Sequence, residues 1–314
     1  MTVVQKAGSV GASWPPHFDR RNRRVKGFYT RLVDDASGLK RMFSQVRDAE
    51  AGCSGSTRTT VRAFVREGLA EGLMGYDIEA GFGVPNALPG YQLIYFGRNR
   101  GSRMSDGLVL QQEISSVRQM LSLGRAEPGA ARGRVLSAGY STSRLNGNGQ
   151  EEVGRLVELY QEAYQEYTFE LTPQTVSEML SNGNIFIVGR DQDGRIVSSL
   201  VAEHVAFQLE DGREMHLYEL SDYATFREHR GNGLMTLMQI EAVEAIRSLP
   251  HGPESIIYAE DRAEWMAVNR SSQRAGLSYC GTLMQHCVLV SDRQFGEQGR
   301  YENLNVWVAD GRGG

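Results

Sequence analysis

The order of apolar runs from residue 150 onward constrains the fold of this chain more than any other feature of its sequence. Two apolar runs between residues 184 and 207 are separated by RDQDGR, and an Asp-Gly pair between such runs is a strong hairpin signal. Two segments with apolar residues at helical spacing precede this hairpin. The segments after it are predicted to form a strand, a helix, a strand, a helix and a strand, in that order. This order predicts an α/β fold with a mixed sheet.

The length of the chain predicts two domains. Its 314 residues exceed the roughly 250–300 residues at which a single hydrophobic core stops growing. We expect a disordered tail over residues 1–26, a smaller N-terminal α/β domain over 27–125 and a second domain over 126–314. Within the first domain, the spacing of Val61, Phe64 and Val65 predicts a helix that ends at Gly68.

Composition and charge exclude several classes of function. The chain is 40% hydrophobic and 23% charged, and no apolar run approaches the ~20 residues of a membrane-spanning helix. A net charge of -4 gives no general affinity for nucleic acid, and the one basic cluster, residues 20–26, is typical of a solvated tail. The N-terminus lacks the apolar stretch of an export signal, so we expect a cytoplasmic protein.

The spacing of cysteine and histidine predicts neither a disulfide nor a metal site. The three cysteines, Cys53, Cys280 and Cys287, are odd in number and lack CxxC spacing, and the six histidines are scattered singly. Free thiols and the absence of a metal are therefore the expectation.

One junction carries a chemical signal. In YATFREHRGNGLMTLM, a strand turns into a helix through Arg230, Gly231, Asn232 and Gly233. Glycines let backbone N–H groups point inward, and the helix N-terminus adds unpaired donors and the positive end of its dipole. Such a loop can bind an anion such as a pyrophosphate, although a purely structural turn explains it equally well when it is taken alone.

The surroundings of this loop resemble the GNAT acetyltransferase superfamily, whose loop is (Gln or Arg)-x-x-Gly-x-(Gly or Ala). Arg230, Gly233 and Met235 occupy the defining positions, and Met235 departs from the small residue of the family. The resemblance implies a GNAT fold, a mixed and mostly antiparallel sheet flanked by helices, that follows a smaller α/β domain. That smaller domain has a helix-Gly-strand pattern that suggests a reduced GNAT-like half.

The resemblance also implies acetyl-CoA as the cosubstrate and assigns residues to it. Backbone amides from Gly231 through Asn232 and Gly233 to Leu234 would bind the pyrophosphate. The strand formed by Tyr223, Ala224 and Thr225 would pair with the pantetheine, and Asn269 would contact the cofactor. Ser272 stands where many GNAT enzymes have the tyrosine that protonates the thiolate, which leaves Tyr279, or no acid at all, for that step.

A closer similarity, to the beta-lysine N6-acetyltransferases, extends over both halves of the chain. It rests on ELSDYATFREHRGNGLM, AGLSYCGTL and ENLNVWV, together with TRLVDD and FVREGLAEGLMGY in the N-terminal half. The segment MQHCVLV lacks the asparagines expected after AGLSYCGTL. This similarity implies a small cationic amine as the substrate, and beta-lysine as the specific compound.

Two acidic residues before the loop are the candidate catalytic groups. A primary ammonium with a pKa near ~10.4 must lose a proton before it attacks a thioester. Glu219, and second Asp222, stand where GNAT enzymes place a general base, and on an ideal strand residues three apart point to opposite faces. Pairing with an arginine, or capping of a backbone group, is the competing interpretation for each carboxylate.

Other functions stay open on the sequence alone. The acceptor could be a polyamine, an antibiotic or a protein lysine. A protein of another class, a sensor that binds acetyl-CoA without turnover, is also compatible with the loop. A homodimer is a further open possibility, and no nucleic-acid or membrane partner is expected.

Overall fold

The computed structural model describes residues 14–69, 75–103, 107–124, 133, 135, 138–145, 149–164, 172–288 and 301–309. The α-helices of these residues are α1 (Ala36–Gly52), α2 (Gly107–Ser122), α3 (Gln150–Ala163), α4 (Pro173–Ser181), α5 (Leu234–Arg247) and α6 (Met266–Arg274). The strands are β1 (His17–Asp19), β2 (Arg24–Val33), β3 (Arg58–Arg66), β4 (Asp77–Gly83), β5 (Tyr91–Asn99), β6 (Ser141–Arg144), β7 (Ile185–Arg190), β8 (Ile196–Gln208), β9 (Glu214–Thr225), β10 (Ile256–Arg262), β11 (Ser278–Cys287) and β12 (Glu302–Val308). No helix of the described part is long and apolar enough to cross a membrane.

All of these strands join one sheet, in the order β1-β2-β3-β5-β4-β11-β12-β10-β9-β8-β7-β6. The pairs β2–β3 and β9–β10 are parallel, and the remaining described pairs are antiparallel. The predicted α/β class, with a mixed and mostly antiparallel sheet flanked by helices, is confirmed.

The two halves of the chain meet inside this sheet, where β4 pairs with β11 at Ala80 and Gly281. Gly281 has φ 148°, and a Cβ on it would lie 2.2 Å from the carbonyl oxygen of Glu79. Any side chain at this position would therefore push the two halves apart. The predicted boundary between residues 125 and 126 lies outside the described residues.

Two predictions for the N-terminal half are corrected. Residues 17–26, assigned to a disordered tail, form β1 and the start of β2, while residues 1–13 lie outside the described residues. The helix predicted from Val61, Phe64 and Val65 is strand β3. Val61 and Val65 pack against α1 on one face and Phe64 packs on the other. Because both faces of β3 are buried, its apolar residues do not alternate with polar ones and imitate a helical stripe.

The helix predictions hold where a cap and a one-sided stripe coincide. At the start of α1, the side chain of Asp35 accepts a hydrogen bond of 2.8 Å from the Gly38 amide. Helix α4 begins with Thr172 as N-cap and Pro173 at its first position, as predicted. Capping of this kind satisfies amides that have no partner within the helix.

The sheet is strongly curled. Strands β3 and β10 are five positions apart, which would be about 24 Å in a flat sheet at ~4.8 Å per strand. Nevertheless Arg62 on β3 donates a hydrogen bond of 2.9 Å to the hydroxyl of Tyr258 on β10. Further round the curl, the rings of Phe28 on β2 and Phe207 on β8 lie 5.0 Å apart. In the order of the sheet, the strands between β2 and β8 therefore form a cup. The concave face of this cup carries the four side chains named above.

Candidate functional site

The loop between β9 and α5 has a backbone conformation that favours glycine at two positions. Gly231 and Gly233 have φ 82° and 83°, values that residues with a Cβ adopt only with strain. Gly233 is the N-cap of α5 and provides no side chain to cap it, so the first amides of the helix depend on a partner other than the N-cap side chain. The sequence prediction of a glycine loop at a helix N-terminus is confirmed in its geometry.

Polar contacts hold the rest of the loop in place. The Arg230 Nε donates to the carbonyl of Thr225 at 3.0 Å. The Asn232 amide donates to the carbonyl of His229 at 3.1 Å and to the hydroxyl of Tyr140 at 3.3 Å. Leu234 is buried against Gly189, where a Cβ would lie 2.9 Å from a methyl group of Leu234. These contacts fix the start of α5 on the sheet.

Next to this loop, β9 and β10 diverge. Their parallel ladder runs from the pair Leu217–Ile256 to the pair Leu220–Ala259 and ends there, although both strands continue. On its other side β9 remains paired with β8 as far as Thr225. Within the described residues, the edge of β9 that faces the gap therefore leaves backbone groups free of β10, over the segment predicted to pair with a pantetheine.

A bulge in β9 lies beside this gap. Opposite β8, the register moves from Ser221 to Ala224 while β8 advances by two residues, and Asp222 has φ 49°. The bulge interrupts the alternation of side chains between the two faces of the sheet. The rule that residues three apart point to opposite faces therefore does not apply to Glu219 and Asp222. The charge of Asp222 raises the pKa of both Tyr160 and Tyr164 on and just after α3, second to burial in each case. Asp222 therefore lies toward α3.

Buried polar side chains bridge the diverging strands from the side of α5 and α6. Gln239 donates to the hydroxyls of Tyr223 at 3.0 Å and Ser272 at 2.8 Å, and Ser272 donates to Asp261 at 2.6 Å. Burial raises the pKa of Asp261 to about 7. Ser272, at the position of the family tyrosine, thus serves this bridge, and the hydroxyl of Tyr279 lies 2.6 Å from Thr282.

Three carboxylates, which we call the acidic cluster, line the cup beside the gap. Its members are Glu203 on β8, Glu219 on β9 and Glu260 on β10. Glu203 and Glu219 are directly opposite each other in the sheet, an arrangement that costs free energy when both are ionised. Tyr258 donates a hydrogen bond of 2.9 Å to Glu219, and Ser221 donates one of 2.6 Å to Glu203.

The acidic cluster perturbs the acidity of its own members. Burial, and then the charges of Glu260 and Glu203, raise the pKa of Glu219 well above its ordinary value, against the opposing effect of Arg62. Burial also raises the pKa of Glu203. Both side chains are nevertheless only half-buried by surface area. A carboxylate that is desolvated but still reached by solvent, with a raised pKa, is a stronger base than an ordinary carboxylate and is suited to accept a proton.

The N-terminal half adds cations to the same cup. Arg62 contacts Tyr258 and lies over the rings of Phe28 and Tyr95 at 5.2 and 5.7 Å. Burial lowers the pKa of Lys26 on β2, and the nearby carboxylate of Glu219 acts in the opposite direction. The cup therefore presents carboxylates from one half of the chain and cations from the other.

Asn269 differs from the other predicted cofactor residues. It is fully buried. Its amide nitrogen donates to the carbonyls of Arg262 at 2.8 Å and Trp265 at 2.9 Å, and its oxygen accepts from Asn305 at 2.7 Å and Trp307 at 3.1 Å. All four hydrogen-bonding positions of the side chain are used, which leaves none for a cofactor. The structure gives this residue a structural role that ties α6 to β12.

Replacement of Asn269 by alanine is expected to lower the free energy of unfolding by about 2–4 kcal/mol, because it leaves buried donors of Asn305 and Trp307 without an acceptor. Urea unfolding would measure the loss. Calorimetry on the folded fraction should show acetyl-CoA affinity unchanged. A selective loss of affinity at full stability would restore the cofactor contact predicted from the sequence.

Sequence reasoning missed three residues of this site. Arg62, Tyr258 and Glu260 lie on strands distant in sequence from the loop, and only the curl of the sheet brings them beside Glu219. The single signal in the sequence was Glu260 at the end of the short run SIIYAE, a carboxylate that directly follows apolar residues.

No family model and no curated protein matches this sequence. Solved structures similar to the chain include Arabidopsis thaliana NAA60 in complex with a bisubstrate analogue, at 13% identity over 54% of this chain and 97% of that one, with a TM-score of 0.41. Another is spermidine N-acetyltransferase from Vibrio cholerae in complex with CoA and spermine, at 14% identity over 55% of this chain and 96% of that one, with a TM-score of 0.39. A third is a probable N-acyltransferase from Enterococcus faecalis V583, at 15% identity and a TM-score of 0.32, where the match covers 38% of this chain and 29% of that one. At this level of similarity, any functional argument has to come from the site.

Proposed function

We propose that this protein is a GNAT-type N-acetyltransferase that transfers the acetyl group of acetyl-CoA to a primary amine of a small cationic substrate. The observation that carries the proposal is the position of the acidic cluster. It lies directly beside the gap between β9 and β10, and Glu219 is two residues before the bulge of β9. The proposal thereby joins a site for an anionic cosubstrate to a site for a cationic acceptor.

The residues around the gap fit acetyl-CoA. Gly231 and Gly233 have the positive φ angles that aim backbone amides at a pyrophosphate. The edge of β9 from Tyr223 through Ala224 to Thr225 is not covered by β10, although the hydroxyl of Tyr164 donates to the carbonyl of Tyr223 at 2.8 Å and Arg230 donates to that of Thr225. A pantetheine whose amide groups pair with this segment, as a further strand would, replaces these side-chain contacts. In this arrangement the thioester lies in the gap, next to Glu219.

In the proposed reaction, Glu219 accepts a proton from the substrate ammonium, directly or through a water molecule. The neutral amine attacks the thioester carbonyl, the carbon–sulfur bond breaks, and the acetyl group stays on the nitrogen. The thiolate leaves with stabilisation from backbone donors at the gap and takes up the proton that the attacking nitrogen loses as it becomes an amide. Holding the two reactants side by side supplies much of the acceleration.

The mixed charges of the cup favour an amino-acid acceptor over a polyamine. Glu203 and Glu260 can hold a second ammonium group, while Arg62 and Lys26 can neutralise a carboxylate. Beta-lysine carries two amines and one carboxylate, so it matches this set, and we propose it as the first substrate to test. A polyamine carries no carboxylate and would bring further positive charge beside Arg62 and Lys26.

The function is tested by incubating the purified protein with acetyl-CoA and one amine at a time. The amines are beta-lysine, spermidine, an aminoglycoside and a lysine-containing peptide. Release of free thiol and a product heavier by one acetyl group, greatest with beta-lysine, is the expected result. Binding of acetyl-CoA without thiol release from any of these amines would contradict an enzyme and favour the non-catalytic sensor.

Replacement of Arg62 by glutamine is expected to raise KM for beta-lysine by about 10–100-fold, since the carboxylate loses a charge-assisted partner. The KM for spermidine should stay the same or fall. Steady-state kinetics on the two substrates measures the difference.

The matched control is Arg66→Gln, which removes an exposed arginine from the same strand, where it pairs with Asp34 at 2.9 Å. Equal effects of R62Q on both substrates, or an equal effect of R66Q, would refute the assignment of the carboxylate to Arg62.

A further inference from the structure

Three of the six histidines of the chain meet on the convex face of the sheet. His204 lies on β8, His216 lies on β9, and His251 lies in the turn after α5. One ring nitrogen from each lies within 4.8 Å of the others. We call these residues the histidine cluster. They do not belong to the cup, because neighbouring residues of a strand point to opposite faces and Glu203 next to His204 lines the cup.

The fold positions the three rings independently of any sequence motif. His204 pairs with Tyr218, and His216 pairs with Ala206 two positions further along, so both histidines point to the same face. Helix α5 packs on this face, and the turn that follows the helix contains His251. The hydroxyl of Tyr218 lies 2.8 Å from Nε2 of His251, the kind of contact that outer partners make with metal-binding histidines.

The distances suit a divalent transition metal. With metal–nitrogen bonds of ~2.0–2.1 Å, two ligands of a tetrahedral zinc ion lie about 3.3 Å apart, and Nε2 of His204 lies 3.0 Å from Nδ1 of His216. The rings of His204 and His216 stack at an interplanar angle of 8° and those of His216 and His251 at 16°, so binding requires them to rotate. All three side chains are half-buried, which leaves room for that rotation.

An acidic side chain stands next to the histidine cluster. A carboxylate oxygen of Glu214 lies 3.9 Å from Nε2 of His216 and is exposed. Because His216 faces His204 through Nδ1, this carboxylate stands at the other ring nitrogen and can balance the charge of the ion.

We propose that His204, His216 and His251 bind a divalent transition-metal ion of the zinc class, with water in the fourth position. Such an ion would tie β8, β9 and the connection from α5 to β10 together, behind the strand residues that carry Glu203 and Glu219. The proposal replaces the expectation of no metal, which rested on sequence spacing alone, and does not depend on the acetyltransferase proposal.

The test uses the full chain without a histidine tag, stripped of metal by a chelator. Zinc binding is measured by competition with a chromophoric chelator, and Co²⁺ is added separately to record its visible absorption. Binding of one equivalent of Zn²⁺, an intense tetrahedral Co²⁺ spectrum and a higher Tm with Zn²⁺ are the expected results. The variants H204A, H216A and H251A should each weaken zinc binding by about 100-fold or more.

Two control variants remove other potential ligands. His17→Gln changes a histidine on β1, and Cys53→Ser removes a half-buried thiol. Both should keep the affinity of the unaltered protein. The proposal fails if the stripped protein binds no zinc, or if H216A binds as tightly as the unaltered chain. It also fails if C53S, rather than a change in the histidine cluster, abolishes binding.

Discussion

Replacement of Glu219 by glutamine is expected to lower kcat for amine acetylation by about 100- to 10,000-fold, the range for loss of a general base, while the Kd for acetyl-CoA stays the same. The unaltered enzyme should lose kcat/KM as pH falls through the raised pKa of Glu219, because the base must be unprotonated in the free enzyme. E219Q should lose this limb of the profile. Steady-state kinetics over a pH series and calorimetry with acetyl-CoA measure both effects.

Two neighbouring carboxylates provide the controls. The charge of Glu203 raises the pKa of Glu219, so Glu203→Gln should move the acidic limb to lower pH and retain most of the maximal rate. Asp222→Asn tests the second candidate base, which lies at the bulge. A rate loss in D222N with normal turnover by E219Q would assign the base to Asp222 instead.

The stability of E219Q separates catalysis from folding. The pKa of Glu219 is raised in the folded state, so its neutral form stabilises the fold at low pH, and that stabilisation is lost as pH rises through the folded-state pKa. Glutamine remains neutral throughout. E219Q should therefore unfold at the same or a higher Tm than the unaltered protein at alkaline pH, which would exclude unfolding as the cause of its inactivity.

Replacement of Gly233 by valine is expected to weaken acetyl-CoA binding by at least about 100-fold, equivalent to ~2.7 kcal/mol. A β-branched residue is strained at φ 83°, so the loop must change its backbone and the amides at the start of α5 lose their common direction. Calorimetry with acetyl-CoA measures the loss.

Gly212 offers a control with matched strain. It has φ 87° in the turn between β8 and β9, and a Cβ there would meet no atom within 4 Å. G212V should lose a comparable amount of stability and bind acetyl-CoA as the unaltered protein does. Equal binding by G233V and G212V would mean that the loop is only a structural turn, the alternative that its sequence left open.

The fold was predictable where a local signal and burial on one side agree. The Asp-Gly turn between β7 and β8, the capped helix α4 and the glycine loop before α5 follow from residues within a few positions of each other. Strand β3 was mistaken for a helix because neighbours on both sides bury it, so Val61 and Phe64 give no alternation. Burial on two faces depends on tertiary contacts that a local pattern does not contain.

The sequence indicates the loop and Glu219 of the proposed site, but not the residues that enclose them. Contact between Arg62 and Tyr258 depends on the curvature accumulated over five strand positions, and no segment of sequence specifies that curvature by itself. The same limit explains the histidine cluster, because His204, His216 and His251 become neighbours only through strand register and the end of α5.

The junction of β4 with β11 at Ala80 and Gly281 has a consequence for how such a protein can change. The glycine loop and Glu219 belong to the later part of the chain, whereas Arg62 and Lys26 come from the earlier part. In the proposed acetyltransferase, substitutions in β2 and β3 would therefore change the acceptor preference and leave the residues of the loop unaltered. A chimaera that takes its first five strands from a related chain should exchange acceptors and retain the same acyl donor, provided that it keeps glycine at position 281.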